Sequence, residues 1–367
     1  MEINFANPHK NNIFLIKKIK KKINNVIYSN KYILGDENQI LQKKIEAYTG
    51  SKYAVTLNSG TDAILCSLIA SNMKHNDEIL VPSHTATATI SVLKLLNLKI
   101  KFVDIDLSDY NLDIKDLQKK ITKKSKAIIA VHIYGNPSNI IKIKKIANKF
   151  KLILIEDCAQ AMGTKFLNKH VGNFGDFGCF SFFPTKNLSA IGDAGAVIVN
   201  KKNLYHKLLK IRQYGWNKKR ASVITGINSR CDELQAAILN VKIDNLDKYI
   251  FKRRKIADFY NKSLANLPIV LPKERKKGKH SYHLYVIRIY ANLRKKFMVY
   301  MKKQGINLGI HYYPPNHKMK SFKSNNTLKN TDFISKQIVS LPIYPELKLK
   351  ELVYITSRIK SFFKKNK

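Results

Sequence analysis

Three short stretches of this 367-residue chain bring together side chains that do chemistry only in combination. In Leu154-Ile155-Glu156-Asp157-Cys158-Ala159-Gln160 a carboxylate, Asp157, follows an apolar run of the kind that forms a buried strand. In Ser181-Phe182-Phe183-Pro184-Thr185-Lys186-Asn187, closed by Gly192-Asp193-Ala194-Gly195, a lysine sits in a loop between two apolar runs. In Asn58-Ser59-Gly60-Thr61-Asp62 a capping sequence precedes Ala63, Ile64, Leu65, Leu68 and Ile69, which recur at helical spacing. Taken singly, each has an ordinary explanation. An aspartate at a strand end is commonly a helix cap, a lysine among so many is commonly solvated, and Ser-Gly-Thr before a helix is a capping signal.

The combination matches what pyridoxal phosphate requires. That cofactor needs a lysine to form a Schiff base, and an acid to keep its ring nitrogen protonated, since only the pyridinium draws electrons strongly enough to stabilise a carbanion. Its phosphate needs backbone N–H groups, which a helix N-terminus supplies. Lys186, Asp157 and the Gly60-Thr61 turn meet these three needs, and Gly60 permits close backbone approach.

Strands and helices must hold these residues. Short Val- and Ile-rich runs at 78–82, 100–105, 126–133, 151–156, 177–183 and 195–199 predict buried strands, and helical spacing at 61–73, 85–97, 141–150 and 203–213 predicts helices between many of them. Such alternation predicts an α/β fold with a mostly parallel sheet covered by helices. Upstream, 14–28 and 37–48 read as helices separated by Ile33-Leu34-Gly35-Asp36. A long helical pattern over 232–246 and 251–264 leads away from the sheet and is broken by Pro268 and Pro272. Strands near 282–290 and 306–312 and helices near 293–304, 331–338 and 347–363 then predict a small C-terminal α/β domain. Single cores stop growing at roughly 250 to 300 residues. The expected division is a large cofactor-binding domain over 1–248, with an N-terminal helix able to pack on the small domain, and a small domain over 249–367.

The formal net charge is +42, with hydrophobic residues at 44%, enough to bury a sizeable core. Only nine of the 67 basic residues are arginine, whose planar fork suits phosphates and guanine edges. The lysines spread along polar faces such as 17–22 and 142–151, so the charge reads as solvated surface that draws in anionic substrates, not as a nucleic-acid groove. Cys66, Cys158, Cys179 and Cys231 stand far apart without a Cys-x-x-Cys pair, so neither a metal site nor a disulfide framework is expected. No apolar run approaches the roughly 20 residues of a membrane helix, and residues 1–12 carry no signal-like apolar core. The expectation is a cytoplasmic protein without a membrane partner.

With further motifs in the same order, the chain resembles the DegT/DnrJ/EryC1/StrS family of sugar aminotransferases over nearly its whole length. The matching segments are 29–37, 58–63, Val81-Pro82-Ser83-His84-Thr85, 103–106, Val131-His132-Ile133-Tyr134-Gly135, 156–161, 180–187 and Gly192-Asp193. Tyr214-Gly215, Asn228-Ser229-Arg230, 232–237, His311-Tyr312 and Leu341-Pro342 complete the series. The resemblance implies an aspartate-aminotransferase-like fold of type I, pyridoxal 5'-phosphate as cofactor, and a homodimer with shared active sites.

Carried over position by position, it implies that Lys186 holds the cofactor covalently and then moves protons between the amino-acid and sugar carbons. Asp157 corresponds to the partner of the ring nitrogen, Gln160 to that of the ring oxygen, and Ser181 with Gly60 and Thr61 to the phosphate cradle. Asn228 reaches, in the family, the cofactor phosphate of the neighbouring subunit. His311 and Tyr312 fall where relatives line the sugar pocket. The chain departs from the family at Ala86, where many relatives place a ring that stacks on the cofactor. Either His84, two residues earlier, takes that role or the cofactor ring is held differently. Phe183 replaces a common tyrosine, and Ser189-Ala190 and Ala194 replace glycines.

The implied reaction is transamination from L-glutamate to a keto-sugar nucleotide. Relatives that remove a sugar hydroxyl carry histidine where this chain has Lys186. The run Lys186-Asn187-Leu188 with Ile191-Gly192-Asp193 and His311-Tyr312 is similar to relatives acting on dTDP-linked 3-keto-6-deoxyhexoses, for an amino sugar of a surface polysaccharide or related glycan. Two other readings are a pyridoxal-phosphate sugar dehydratase and a non-enzymatic basic binding or regulatory protein. The latter has no chemical need to keep Lys186, Asp157 and Gln160 together.

Overall fold

The structure, a computed structural model, describes residues 2–366. Helices α1 (Pro8–Ile13), α2 (Ile16–Tyr28) and α3 (Asp36–Thr49) lead into β1 (Tyr53–Leu57). Helix and strand then alternate through α4 (Gly60–Ala70), β2 (Glu78–Pro82), α5 (Thr87–Leu95), β3 (Lys99–Val103), α6 (Ile114–Lys120), β4 (Ser125–Val131), α7 (Ile140–Lys149) and β5 (Ile153–Asp157). Two short strands, β6 (Lys165–Phe166) and β7 (Lys169–His170), precede β8 (Phe177–Ser181) and β9 (Gly195–Val199). Helices α8 (Lys202–Ile211), α9 (Glu233–Ile243) and α10 (Leu246–Leu264) follow. The chain ends with β10 (Gly278–Lys279), β11 (Tyr285–Arg288), α11 (Ala291–Lys303), α12 (Lys329–Ser335), β12 (Ile338–Leu341) and α13 (Leu349–Lys365).

Seven strands form one sheet in the order β1-β9-β8-β5-β4-β2-β3. Pairing is parallel from β8 to β3, while β9 runs against both β8 and β1. Burial on both faces explains the near-continuous apolar runs: Ala127, Ile128, Ile129 and Ala130 are all fully buried. The sequence pattern misses β1, whose run Thr56 interrupts, and α6, whose one buried residue is Leu117. No strand forms over 306–312; there Gly309 makes an isolated bridge to Ser340, and β12 supplies the strand that pairs with β11.

Tyr260, Tyr285, Phe297, Ile355 and Phe362 centre the core of the C-terminal part, and Ile3 joins them. Helix α2 does not pack on that part; its apolar stripe sets Ile19 against Ile238, Val241 and Tyr249 of α9 and α10. The N-terminal elements that meet the C-terminal part are the stretch before α1, where Ile3 bridges in parallel to Ile306, and α1 itself, whose Lys10 ammonium reaches Glu351 of α13 (3.2 Å).

Helix α9 ties α3 and the loop between β8 and β9 together. The Glu233 carboxylate accepts from the backbone N–H groups of Gly35 (2.9 Å), Glu37 and Asn38 (3.2 Å), capping the free first turn of α3. Gln235 exchanges two hydrogen bonds with Ile191 (2.9 and 3.0 Å), which pins the loop between β8 and β9. The buried Lys242 ammonium donates to Ser189 Oγ (2.6 Å) in that same loop, so the serine standing for a glycine has a partner.

Candidate active site

The carboxyl ends of β4, β5 and β8 and the N-termini of α4 and α5 surround a cavity of about 410 Å³. In open α/β sheets, ligands bind in this place. Gly60, Thr61, Asp157, Gln160, Ser181, Lys186, His311 and Tyr312 all line it. His84 and Asn228 do not.

Asp157 ends β5 and is only 4% exposed. Its Oδ2 accepts from the Thr89 hydroxyl (2.7 Å) and its Oδ1 from the Ala159 N–H (3.0 Å). Both donors are neutral. A buried carboxylate that borders a cavity and has only neutral donors is suited to a cationic N–H, and a protonated pyridine ring is such a group. The residues present therefore fit pyridoxal phosphate.

Lys186 sits in the return loop that the antiparallel β9 requires, so the loop falls at the same sheet edge as Asp157. The loop is closed by Phe182 N–H to Ala194 O (2.8 Å) and Ala190 N–H to Phe182 O (2.7 Å), and pinned from outside by Gln235 and Lys242. Burial pushes the Lys186 ammonium down to about 8, with Asp157 pulling the other way. That brings a neutral, nucleophilic amine within reach of ordinary pH.

Ser59 caps α4, its Oγ accepting from the Asp62 N–H (3.1 Å), and the first helical bond runs from Ala63 N–H to Ser59 O. The N–H groups of Gly60 and Thr61 therefore precede the intrahelical ladder, as an anion site requires. Ser229 ties the following segment to α4 by donating to Asp62 Oδ2 (2.8 Å), yet neighbouring Asn228 is exposed and outside its own chain's cavity.

Gln160 is oriented at both ends: Oε1 accepts from Tyr134 N–H (2.6 Å) and Nε2 donates to the Tyr312 hydroxyl (2.7 Å). The Tyr134 hydroxyl donates to the His311 carbonyl, so His84 Nε2–H must donate to the Tyr134 oxygen (2.6 Å). Burial, then His311, hold His84 down to about 3, and it stays neutral. His84 is thus a brace behind the wall. On the side expected for a stacked ring, the cavity is lined by Thr85, Ala86, Ala88 and Thr89. His311 bonds Ser340 Oγ through Nδ1 (2.8 Å) and is held down to about 4 by burial and Lys186.

The structure adds Phe5, Ala6, Thr89, Asp193 and His283 to the lining. Nothing local in their sequence marks them, except that Asp193 lies in a recognised motif. His132, Glu156 and Cys158 also cluster at metal-ligand spacing. Glu156 is already committed there: it bonds His132 Nε2 (2.9 Å) and accepts from the N–H groups of Gly172, Phe174 and Gly175 (2.9, 2.7 and 2.6 Å). Burial pushes its carboxyl up, but His132 and those N–H groups outweigh it and hold it below the ordinary range. This network braces the end of β5 beneath Asp157.

A lysine, a buried carboxylate and a free helix N-terminus converging at the edge of this sheet define a pyridoxal-phosphate enzyme of fold type I. The model of the DegT/DnrJ/EryC1/StrS aminotransferase family matches residues 14–360, and the chain belongs to that family. It is 36% identical over 348 residues to a dTDP-3-amino-3,6-dideoxy-alpha-D-galactopyranose transaminase of Aneurinibacillus thermoaerophilus, covering 94% of this chain and 95% of that one. It is 37% identical over 354 residues to a protein of Geobacillus stearothermophilus named pleiotropic regulatory protein, with 95% of each covered. Among solved structures, S. venezuelae DesV in complex with a ketimine intermediate matches with a TM-score of 0.95 at 29% identity over 98% of both chains. The chain is a pyridoxal-phosphate-dependent aminotransferase.

Proposed function

We propose that the enzyme transfers an amino group from L-glutamate to a dTDP-linked 3-keto-6-deoxyhexose, for an amino sugar of a surface polysaccharide or related glycan, and works as a cytoplasmic homodimer. The observation that carries the reading is the convergence of Lys186 and Asp157 on one cavity, with lysine rather than histidine in the loop. The similarity to the dTDP-amino-sugar transaminase supports the substrate class.

When bound, pyridoxal phosphate supplies an electron sink that lets a proton leave the carbon bearing the nitrogen. Lys186 Nζ is the base that takes this proton and returns it. The Asp157 carboxylate, aimed by Thr89 and Ala159, holds a proton at the ring nitrogen. Gln160, oriented by the Tyr312 hydroxyl, would bind the ring-oxygen side, Tyr312 with His311 would line the sugar pocket, and the N–H groups of Gly60 and Thr61 with the Ser181 hydroxyl would bind the phosphate. Asn228 of the partner subunit completes the cradle.

The test has two halves. L-glutamate should bleach the yellow enzyme, and a keto-sugar nucleotide should restore the colour with an amino sugar found by mass spectrometry. Running dTDP- and UDP-linked 3-keto sugars side by side decides the nucleotide. A colourless protein that never takes up the cofactor would overturn the reading.

A further inference from the structure

Residues 3–7 form a strap that carries Phe5 and Ala6 into the wall of the active-site cavity. The strap is tied down along its length. Ile3 donates to Gly305 O (2.8 Å) and accepts from Asn307 N–H (2.8 Å), with its side chain buried in the C-terminal core. Asn307 Nδ2 donates to Glu2 Oε1 and Asn4 Oδ1, both at 2.8 Å. The Phe5 carbonyl accepts from Ile343 N–H (3.2 Å). Just beyond, Asn7 Oδ1 caps α1 through Lys10 N–H (3.1 Å), and the Lys10 ammonium reaches Glu351 (3.2 Å). Outside the strap and α1, every one of these partners lies beyond residue 300, so the first residues of the chain belong structurally to its last part. Between the anchors the Phe5 ring lies 5.6 Å from that of His311, tilted by 52°.

The two sides of the cavity differ in chemistry. Near Lys186 they offer Asp157, Gln160 and Ser181, which suit charged and hydrogen-bonding ligands. On the strap side, Phe5, Ala6 and Ile343 offer no polar side-chain atom. The carboxylates of a dicarboxylic amino acid find no partner on such a wall, and its short methylene stem offers the wall little area. A hexose does, because its ring carries a C–H face, and a 6-deoxy sugar adds a methyl group. We infer that Phe5 is a specificity residue for the sugar half of the reaction, its ring taking the apolar face of the hexose beside His311. This rests on the sugar-nucleotide reading above.

The test uses full-length, cofactor-loaded enzyme carrying Phe5→Ala or Phe5→Leu. Phe5→Ala should raise KM for the amino-sugar nucleotide roughly tenfold or more, the scale of a lost apolar pocket contact, with kcat little changed. Phe5→Leu should fall between. The single-turnover reaction with L-glutamate should be unaltered in both, and calorimetric binding of the sugar nucleotide should weaken by the same factor as KM rises. Ile3→Ala, which loosens the strap without touching the ring, should reproduce the effect in weaker form. Equal losses in the glutamate and sugar halves would make Phe5 merely structural and overturn the inference. Sugar-nucleotide binding insensitive to Phe5 would overturn it alone. A parent enzyme that reacts with glutamate but binds no hexose nucleotide would overturn the substrate reading and the inference with it.

Discussion

Gly60 and Ser181 approach so closely that a methyl group on Gly60 would lie 2.5 Å from Ser181 Cβ and 3.0 Å from its Cα. The start of α4 and the end of β8 thus share one cradle, and only hydrogen at residue 60 leaves room for it. Because the obstacle includes backbone, Gly60→Ala must push the helix N-terminus off the strand, at a cost of about 1–3 kcal/mol. The expected result is a lower melting temperature and loss of cofactor on dialysis, read from absorbance. Unchanged melting with full retention would show that the close approach is not needed.

Lys186 should reveal its lowered pKa in cofactor capture. Only the neutral amine attacks an aldehyde, so borohydride-trapped labelling of cofactor-free enzyme should rise with pH and reach half-maximum near about 8, not at the ordinary 10.5. Peptide mapping should place the label on Lys186. The linkage has the same sign: between about 8 and 10.5 the folded state binds fewer protons than the unfolded, so cofactor-free stability rises with pH across that window. Lys242, also held down to about 8 by burial, adds to the trend, and Lys186→Met should remove only part of it. Half-maximal capture near pH 10 would contradict the burial argument.

Asp157→Asn should slow turnover roughly a hundredfold or more, the scale of losing one charged partner of a reacting group, because a neutral amide cannot hold the ring nitrogen charged. Asp157→Glu should be the milder change. Thr89→Val removes the hydroxyl that aims Oδ2, a hydrogen bond to a charged group contributing about 1.5–3 kcal/mol, and should slow turnover by about tenfold or more. Near-normal rates in Asp157→Asn would reduce that residue to a strand-end cap.

Asn228 lies exposed and away from its own chain's cavity, as a residue serving a second copy would. Mixing Lys186→Ala chains with Asn228→Ala chains should then restore activity, since a heterodimer has one site that takes Lys186 and Asn228 from different intact copies. The measurement is the turnover of verified heterodimers against the two parents. No gain, where Asn228→Ala alone is severely impaired, would count against a shared site. Full activity in a sedimenting monomer would end the idea.

Much of the chemistry was legible because it is written locally. A buried strand ending in Asp157, a lysine between two strand-like runs, and a capping turn before an apolar helix each leave a signature within a few residues. The parallel sheet was legible for the same reason, since burial on both faces forces continuous Val and Ile. By contrast, β1 was hidden by Thr56, whose hydroxyl is satisfied by Asn38 Oδ1 (2.8 Å) eighteen positions earlier in the chain.

The sequence by itself pointed to Lys186, Asp157 and the Gly60 turn as parts of one kind of site, because their residue types together match what pyridoxal phosphate requires, and the family resemblance added Gln160. Only the tertiary structure decided what His84 does, since its hydrogen bond to Tyr134, and Tyr134's to His311, join residues far apart in the chain. The same holds for Glu233 on α3, Gln235 on the lysine loop, and Phe5 against His311. These partners meet only when separate elements pack, and side-chain spacing along one element carries no record of what lies across from it.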